Sequence, residues 1–120
     1  MSAAKVLYVI SHAPYSNASG QEALDAILIG TSFELDVSVL FISDGVFQLK
    51  QGQQSGDNGL KQFTKTYKAL ADFGVEKLYL HDLSMAARGL SESELTCATT
   101  TLDSLAVSAL IADQAKVFTF

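Results

Sequence analysis

Cysteine, proline and tryptophan are almost missing from this chain: one cysteine (Cys97), one proline (Pro14) and no tryptophan in 120 residues. A single cysteine excludes an intrachain disulfide, a paired-cysteine redox motif and a thiolate zinc site. The two histidines, His12 and His81, lie too far apart in sequence to share metal-ligand spacing, so neither a metal nor a cofactor is expected. Basic residues are scarce as well. Eight Lys and Arg against thirteen Asp and Glu give a net charge of −5, the wrong sign for releasing counterions from phosphates, and direct nucleic-acid binding is not expected. No apolar run approaches the roughly 20 residues of a membrane helix. Met1 to Ala4 lack the basic stretch of a secretory leader, so the expectation is a cytoplasmic chain without membrane contact.

What is present is apolar. Hydrophobic residues make up 48% of the chain and charged residues 18%, which argues for one folded domain over residues 1–120 rather than disorder. So little charge also suggests that partner subunits cover part of the surface. Lys5 to Ser11 and Val37 to Ser43 are β-branched and aromatic runs without clean alternation, as expected of strands buried on both faces. Lys77 to His81 reads as a third strand, Leu95 to Thr99 as a weaker fourth and Val117 to Phe120 as a last one. Between them come helical patterns: Ala23, Leu24, Ile27 and Leu28 behind a Ser19 cap, with Gly30 weakening the last turn; Leu60, Phe63, Tyr67, Leu70 and Ala71; a short helix from Asp82 or Ser84 to Gly89; and Leu102, Leu105, Ala106, Ala109 and Leu110. Lys50 to Gly59 reads as a surface loop. Strand and helix alternate, which predicts an α/β fold with a mainly parallel sheet between two helical layers.

In such folds chemistry collects beyond the carboxyl ends of the strands. Ser11-His12 there excludes the acidic cluster of a receiver domain, and no GxGxxG follows the first strand. Ser16, Asn17, Ser19 and Gly20 could cradle a phosphate or flavin phosphate at a helix start, although hydroxyl capping is the plainer reading. Asp44-Gly45 is a turn by itself, yet Val46 and Phe47 are large apolar groups just beyond it, either tucked under the next loop or offered to another subunit. Cys97 reads as a small buried hydrophobe, with a reactive sulfur carrier as the alternative. His81 closes a strand at a helix start, where a structural hydrogen bond is the default and acid–base work the alternative. Lys61, Lys65 and Lys68 share one helical face, a solvated stripe or a dock for an acidic partner.

The segments Ser11, Ala13 and Pro14; Gly20, Glu22, Leu24, Asp25 and Ala26; Phe41 through Leu49; and Arg88-Gly89-Leu90 resemble the TusC/DsrF family of the DsrE-like superfamily, from end to end. That resemblance implies a five-stranded parallel sheet and a hetero-hexamer holding two copies each of three similar chains. It implies TusB/DsrH-like and TusD/DsrE-like sister subunits, a TusE/DsrC-like sulfur acceptor, and a place in tRNA wobble-uridine thiolation or in intracellular sulfur oxidation. In the family the persulfide cysteine belongs to the TusD/DsrE subunit, eight residues before the glycine of an arginine-glycine ending. Counting back from Gly89 lands on His81, which can form no persulfide. The resemblance therefore implies a non-catalytic subunit without a cofactor, with Asp44, Gly45, Val46 and Phe47 expected at a subunit interface.

Overall fold

The computed structural model describes residues 4–12, 19–49, 75, 77–95 and 99–120. Along the chain run β1 (Lys5–Ile10), α1 (Ser19–Ser32), β2 (Asp36–Phe41), a 3-10 helix (Ser43–Leu49) and β3 (Lys77–His81). They are followed by α2 (Asp82–Ala87), a 3-10 turn (Glu92–Glu94), β4 (Thr100–Leu102), α3 (Ser104–Ala112) and β5 (Lys116–Thr119). The five strands form one sheet in the order β4-β3-β2-β1-β5, and every pairing is parallel. The α/β expectation with a parallel sheet is met.

Side chains alternate across a strand, so each of the central strands feeds two cores. Val6, Tyr8 and Ile10, Val37, Val39 and Phe41, and Leu78 and Leu80 pack on one face with Ala23, Leu24 and Ile27 of α1 and Met85 of α2. Leu7, Val9 and Leu40 face the other way and meet Val107 and Leu110 of α3. Helices thus lie on both faces, and burial on both sides explains why the strand sequences lack polar alternation. Phe41, Leu7, Ile10, Ile27 and Leu80 are fully buried, each contributing about 1.5–3 kcal/mol of transfer free energy. Among the described residues, no helix is long and apolar enough to cross a membrane.

Several boundaries differ from expectation. Helix α1 includes Ser19 instead of using it as a cap, and it runs through Gly30 to Ser32. Strand β2 stops at Phe41 because Ser43 takes a left-handed backbone (φ 51), which ends an extended strand. The fourth strand is Thr100–Leu102; of the segment assigned to it, Leu95 makes an isolated bridge, Thr99 precedes the strand, and residues 96–98 lie outside the described set. Leu102 is therefore a strand residue and not part of the last helix. Asp103 caps that helix, its carboxylate accepting from the Ala106 amide at 2.8 Å, and a capped helix cannot begin earlier. The helix marked by Leu60 to Ala71, the loop Lys50 to Gly59 and the Lys61, Lys65 and Lys68 stripe also lie outside the described residues.

Gly30 persists inside α1 for a steric reason. A Cβ there would lie 2.5 Å from the Tyr8 hydroxyl oxygen but 3.5 Å from the ring carbon bearing it. The Tyr8 ring cannot easily yield, since it is stacked on Phe118 at 5.6 Å and near Phe120 at 6.3 Å. Gly30→Ala should therefore destabilise the fold by about 1–3 kcal/mol in denaturant titration. In a Tyr8→Phe background the same change should turn neutral or stabilising, as alanine's helical advantage of about 1 kcal/mol is released. Burial also pushes the Tyr8 phenol above its ordinary 10.0. A raised folded value means the contribution is complete below the ordinary 10.0 and is lost as pH rises from there through the folded value. Above about pH 10 the native protein should lose more stability than Tyr8→Phe, read by thermal melts.

Candidate functional site at the carboxyl edge of the sheet

The amino edge of the sheet is held by exposed ion pairs, Lys5–Asp113 at 2.7 Å and Lys77–Asp36 at 2.8 Å. The hydrogen bond to Asp113, and then its charge, raise the Lys5 ammonium above its ordinary pKa. The carboxyl edge is different: there the chain ends of β1, β2 and β3 are woven together by polar groups.

The weave starts at the end of β1. The Ile42 amide donates to the Ile10 carbonyl at 3.0 Å, and the 3-10 helix then folds back across that same carbonyl. At Gly45 a Cβ would sit 1.9 Å from the Ile10 oxygen, an overlap with rigid backbone that only glycine avoids. The turn drives Val46 and Leu49 into the core, both fully buried. Gln48 is buried with them; its Nε2 donates to the His12 carbonyl at 2.9 Å, while its Oε1 has no partner. Of the four residues expected at an interface, Gly45 and Val46 are buried within the chain. Phe47 is half-buried, packed against the core, and Asp44 is exposed.

The second strand of the weave runs through Ser43, Ser84, His81 and Ser104. The Ser43 amide donates to the Ser84 hydroxyl oxygen at 2.9 Å. His81 Nδ1 lies 2.8 Å from that same oxygen, and His81 Nε2 lies 2.8 Å from the Ser104 hydroxyl. Ser84 Oγ thus accepts from the Ser43 amide, and each imidazole nitrogen of His81 is bonded to a serine hydroxyl. The nearby Asp82 carboxylate, 3.9 Å from Nε2, instead accepts from the Leu83 amide at 2.6 Å.

Arg88 ties the 3-10 helix to α2. Its Nε donates to Asp44 Oδ1 at 2.9 Å and its Nη1 to the Ser84 carbonyl at 3.2 Å. Gly89 follows in the left-handed region, φ 65, with Gly89 N donating to Ala86 O and Leu90 N to Met85 O. That is a Schellman closure, with Leu90 and Met85 buried together as its apolar contact. The arginine-glycine ending thus works as a helix stop that aims the guanidinium at Asp44. Cys97 and residues Ser16 and Asn17 lie outside the described residues, and of Ser19 and Gly20 only the helical backbone is described. Among the described residues, no group of three metal-ligating side chains converges. Ser104 was not singled out from sequence, Ser84 only as a possible cap of the short helix and Gln48 only within the 41–49 segment; the three-residue spacing of His81 and Ser84 could have hinted at their contact.

Comparison with known proteins gives a consistent picture. The model of the DsrE/DsrF-like family matches residues 4–120. The intracellular sulfur oxidation protein DsrF of Allochromatium vinosum is 43% identical over 91 residues, covering 76% of this chain and 67% of that one. A TusC homolog of Pseudomonas aeruginosa is 38% identical over 114 residues, 95% of this chain and 96% of its own length. The crystal structure of the Escherichia coli YchN protein superposes with a TM-score of 0.84 over 98% of this chain and 99% of that one, at 23% identity, a likeness of fold.

Three substitutions should separate the parts of this edge. Gly45→Ala forces backbone apart and should cost about 3 kcal/mol or more in chemical unfolding. Ser84→Ala strands the Ser43 amide and the imidazole and should cost about 1–2 kcal/mol. Asp44→Ala, which removes one side of an exposed ion pair, should cost less than about 1 kcal/mol.

Proposed function

The chain belongs to the DsrE/DsrF-like family, and from that premise we propose that it is a non-catalytic subunit of a sulfur-relay complex. In this reading it assembles with TusB/DsrH-like and TusD/DsrE-like chains into a hetero-hexamer. The TusD/DsrE-like chain holds the persulfide, and sulfur passes to a TusE/DsrC-like acceptor on its way to the wobble uridine of tRNA. The observation that carries the reading is His81. It stands where the family pattern calls for the sulfur-bearing cysteine, and both of its nitrogens are engaged by serine hydroxyls. An imidazole held in this way supplies neither a sulfur nucleophile nor a free base, which suits a scaffold.

A second reading places the chain in intracellular sulfur oxidation, favoured by the 43% identity to the DsrF protein. Both readings share the assembly and differ in the acceptor. A third, in which Cys97 itself carries sulfur, concerns a residue outside the described set. Of the 43–49 segment, the exposed Asp44 and the half-buried Phe47 remain the proposed contacts with the sister chains.

Native mass spectrometry of the chain co-expressed with its genomic neighbours tests the proposal. The expected particle contains two copies of each of three related chains, and after loading with a sulfur donor the extra sulfur mass should sit on the TusD/DsrE-like chain. A persulfide on this chain that disappears in Cys97→Ser, or a failure to associate with the neighbours, would overturn it.

A further inference from the structure

One edge of the sheet is unlike the rest of the surface. Strand β5 is terminal in the sheet order, and all four of its residues are exposed. The Phe120 amide donates to Val9 O, and the Ser11 amide donates to Phe120 O, each at 2.8 Å. Backbone polarity alternates along a strand, so Phe118 also faces β1, in register with Tyr8. The amides and carbonyls of Val117 and Thr119 then point away from the sheet. Val117 and Phe118, which flank that edge on opposite faces, are about two-fifths exposed, at 39% and 41%.

Natural edges are usually blunted by proline, a bulge or inward charge. Here β5 has only Lys116 at its start. At the opposite edge, Thr101 of β4 is tied by its hydroxyl to the Glu92 carboxylate. The helix that leads into β5 in sequence, α3, has nine residues without a single charge and with none of them buried; its Leu105 is 82% exposed. A helix apolar around its whole circumference normally lies inside a structure.

We propose that β5 is the seam along which two copies of this chain join, strand to antiparallel strand, about a two-fold axis through Phe118. Centred there, Val117 of one copy exchanges both backbone hydrogen bonds with Thr119 of the other, and the symmetric pair does the same. All four outward-facing groups on each copy find partners, and the two Phe118 rings meet across the axis. Charge selects this surface for self-association. Each copy carries −5, so two copies repel wherever acids meet, while β5 and α3 contain no acid. The Phe118-centred register sets Lys116 opposite residue 120 of the second copy and not opposite its own counterpart, so no like charges confront each other. The inference is independent of the sulfur-relay reading: capture of sister chains reports on that, self-association on this.

The test is sedimentation of the full chain together with amide hydrogen exchange. The expected result is a concentration-dependent dimer in which the Val117 and Thr119 amides exchange at least about tenfold more slowly than in dilute monomer. Thr119→Pro removes an amide that makes no bond to β1 and is compatible with an edge strand. It should weaken the dimer at least about tenfold while the melting temperature stays near that of the native chain. If that variant fails to fold, the exchange rates of the native chain decide. A chain monomeric at every concentration would overturn the proposal. So would a dimer whose Val117 and Thr119 amides stay unprotected, or one that Thr119→Pro leaves intact while Leu105→Glu abolishes it. Protection of the two amides only when a sister chain is added would likewise overturn it, by assigning the edge to that chain.

Discussion

The close approach of Gly45 to the carbonyl of Ile10 governs the geometry of the whole carboxyl edge. With 1.9 Å available where a Cβ would stand, the chain leaving β2 can lie directly on the end of β1. That seating drops Val46 and Leu49 into the core and brings Gln48 under the His12 carbonyl. It also requires Ser43 to adopt a left-handed backbone, φ 51, which turns its amide toward α2. From there the polar chain Ser43, Ser84, His81, Ser104 crosses to the start of α3. One steric concession by a glycine therefore links the ends of β1, β2 and β3 with the helix that follows β4.

The same network holds the residue that closes β3. A strand end that meets a helix start can stabilise a thiolate, because backbone amides and the helix dipole favour negative charge there. In this chain the position belongs to the His81 imidazole instead. Its Nδ1 is bonded to the Ser84 hydroxyl and its Nε2 to the Ser104 hydroxyl. The side chain thereby becomes a strut between β3 and α3. Arg88 and Gly89 stay useful for local reasons: the glycine closes α2 in a Schellman turn, and the arginine reaches Asp44. The arginine-glycine ending serves here as architecture.

Much of the fold was legible because burial on both faces imprints itself directly on composition. β1 and β3 were visible as apolar runs to within a residue, and the Gly89 stop needed only the glycine. The misreadings share a cause: backbone conformations without a sequence signature. Ser43 and Glu34, at φ 51 and 59, occupy left-handed positions usually signalled by glycine, so the end of β2 was placed two residues too late. Leu102 joined the helical pattern by spacing, whereas the Asp103 cap decides the boundary. At the site, Val46 was readable as either core or interface, and only the turn at Gly45 settles it. Ser104 was invisible because its partner, His81, lies 23 residues away in sequence, with β4 intervening.

The uneven distribution of apolar surface connects the fold to assembly. One face of the sheet is sealed by α1, α2 and the 3-10 helix, and its residues are buried almost without exception. On the other, Leu7, Val9 and Leu40 meet Val107 and Leu110, yet α3 itself buries nothing completely. A monomer gains little from an uncharged helix in water, since Leu, Ala and Ile exposed there contribute no transfer free energy to folding. Their free-energy gain comes only when another protein surface excludes water from them. Charged residues would have solubilised this helix at small cost to its propensity, so their absence from α3 is what a shared surface would require. Four of the acids are engaged in ion pairs or a helix cap, Asp36, Asp44, Asp103 and Asp113, and none lies within α3.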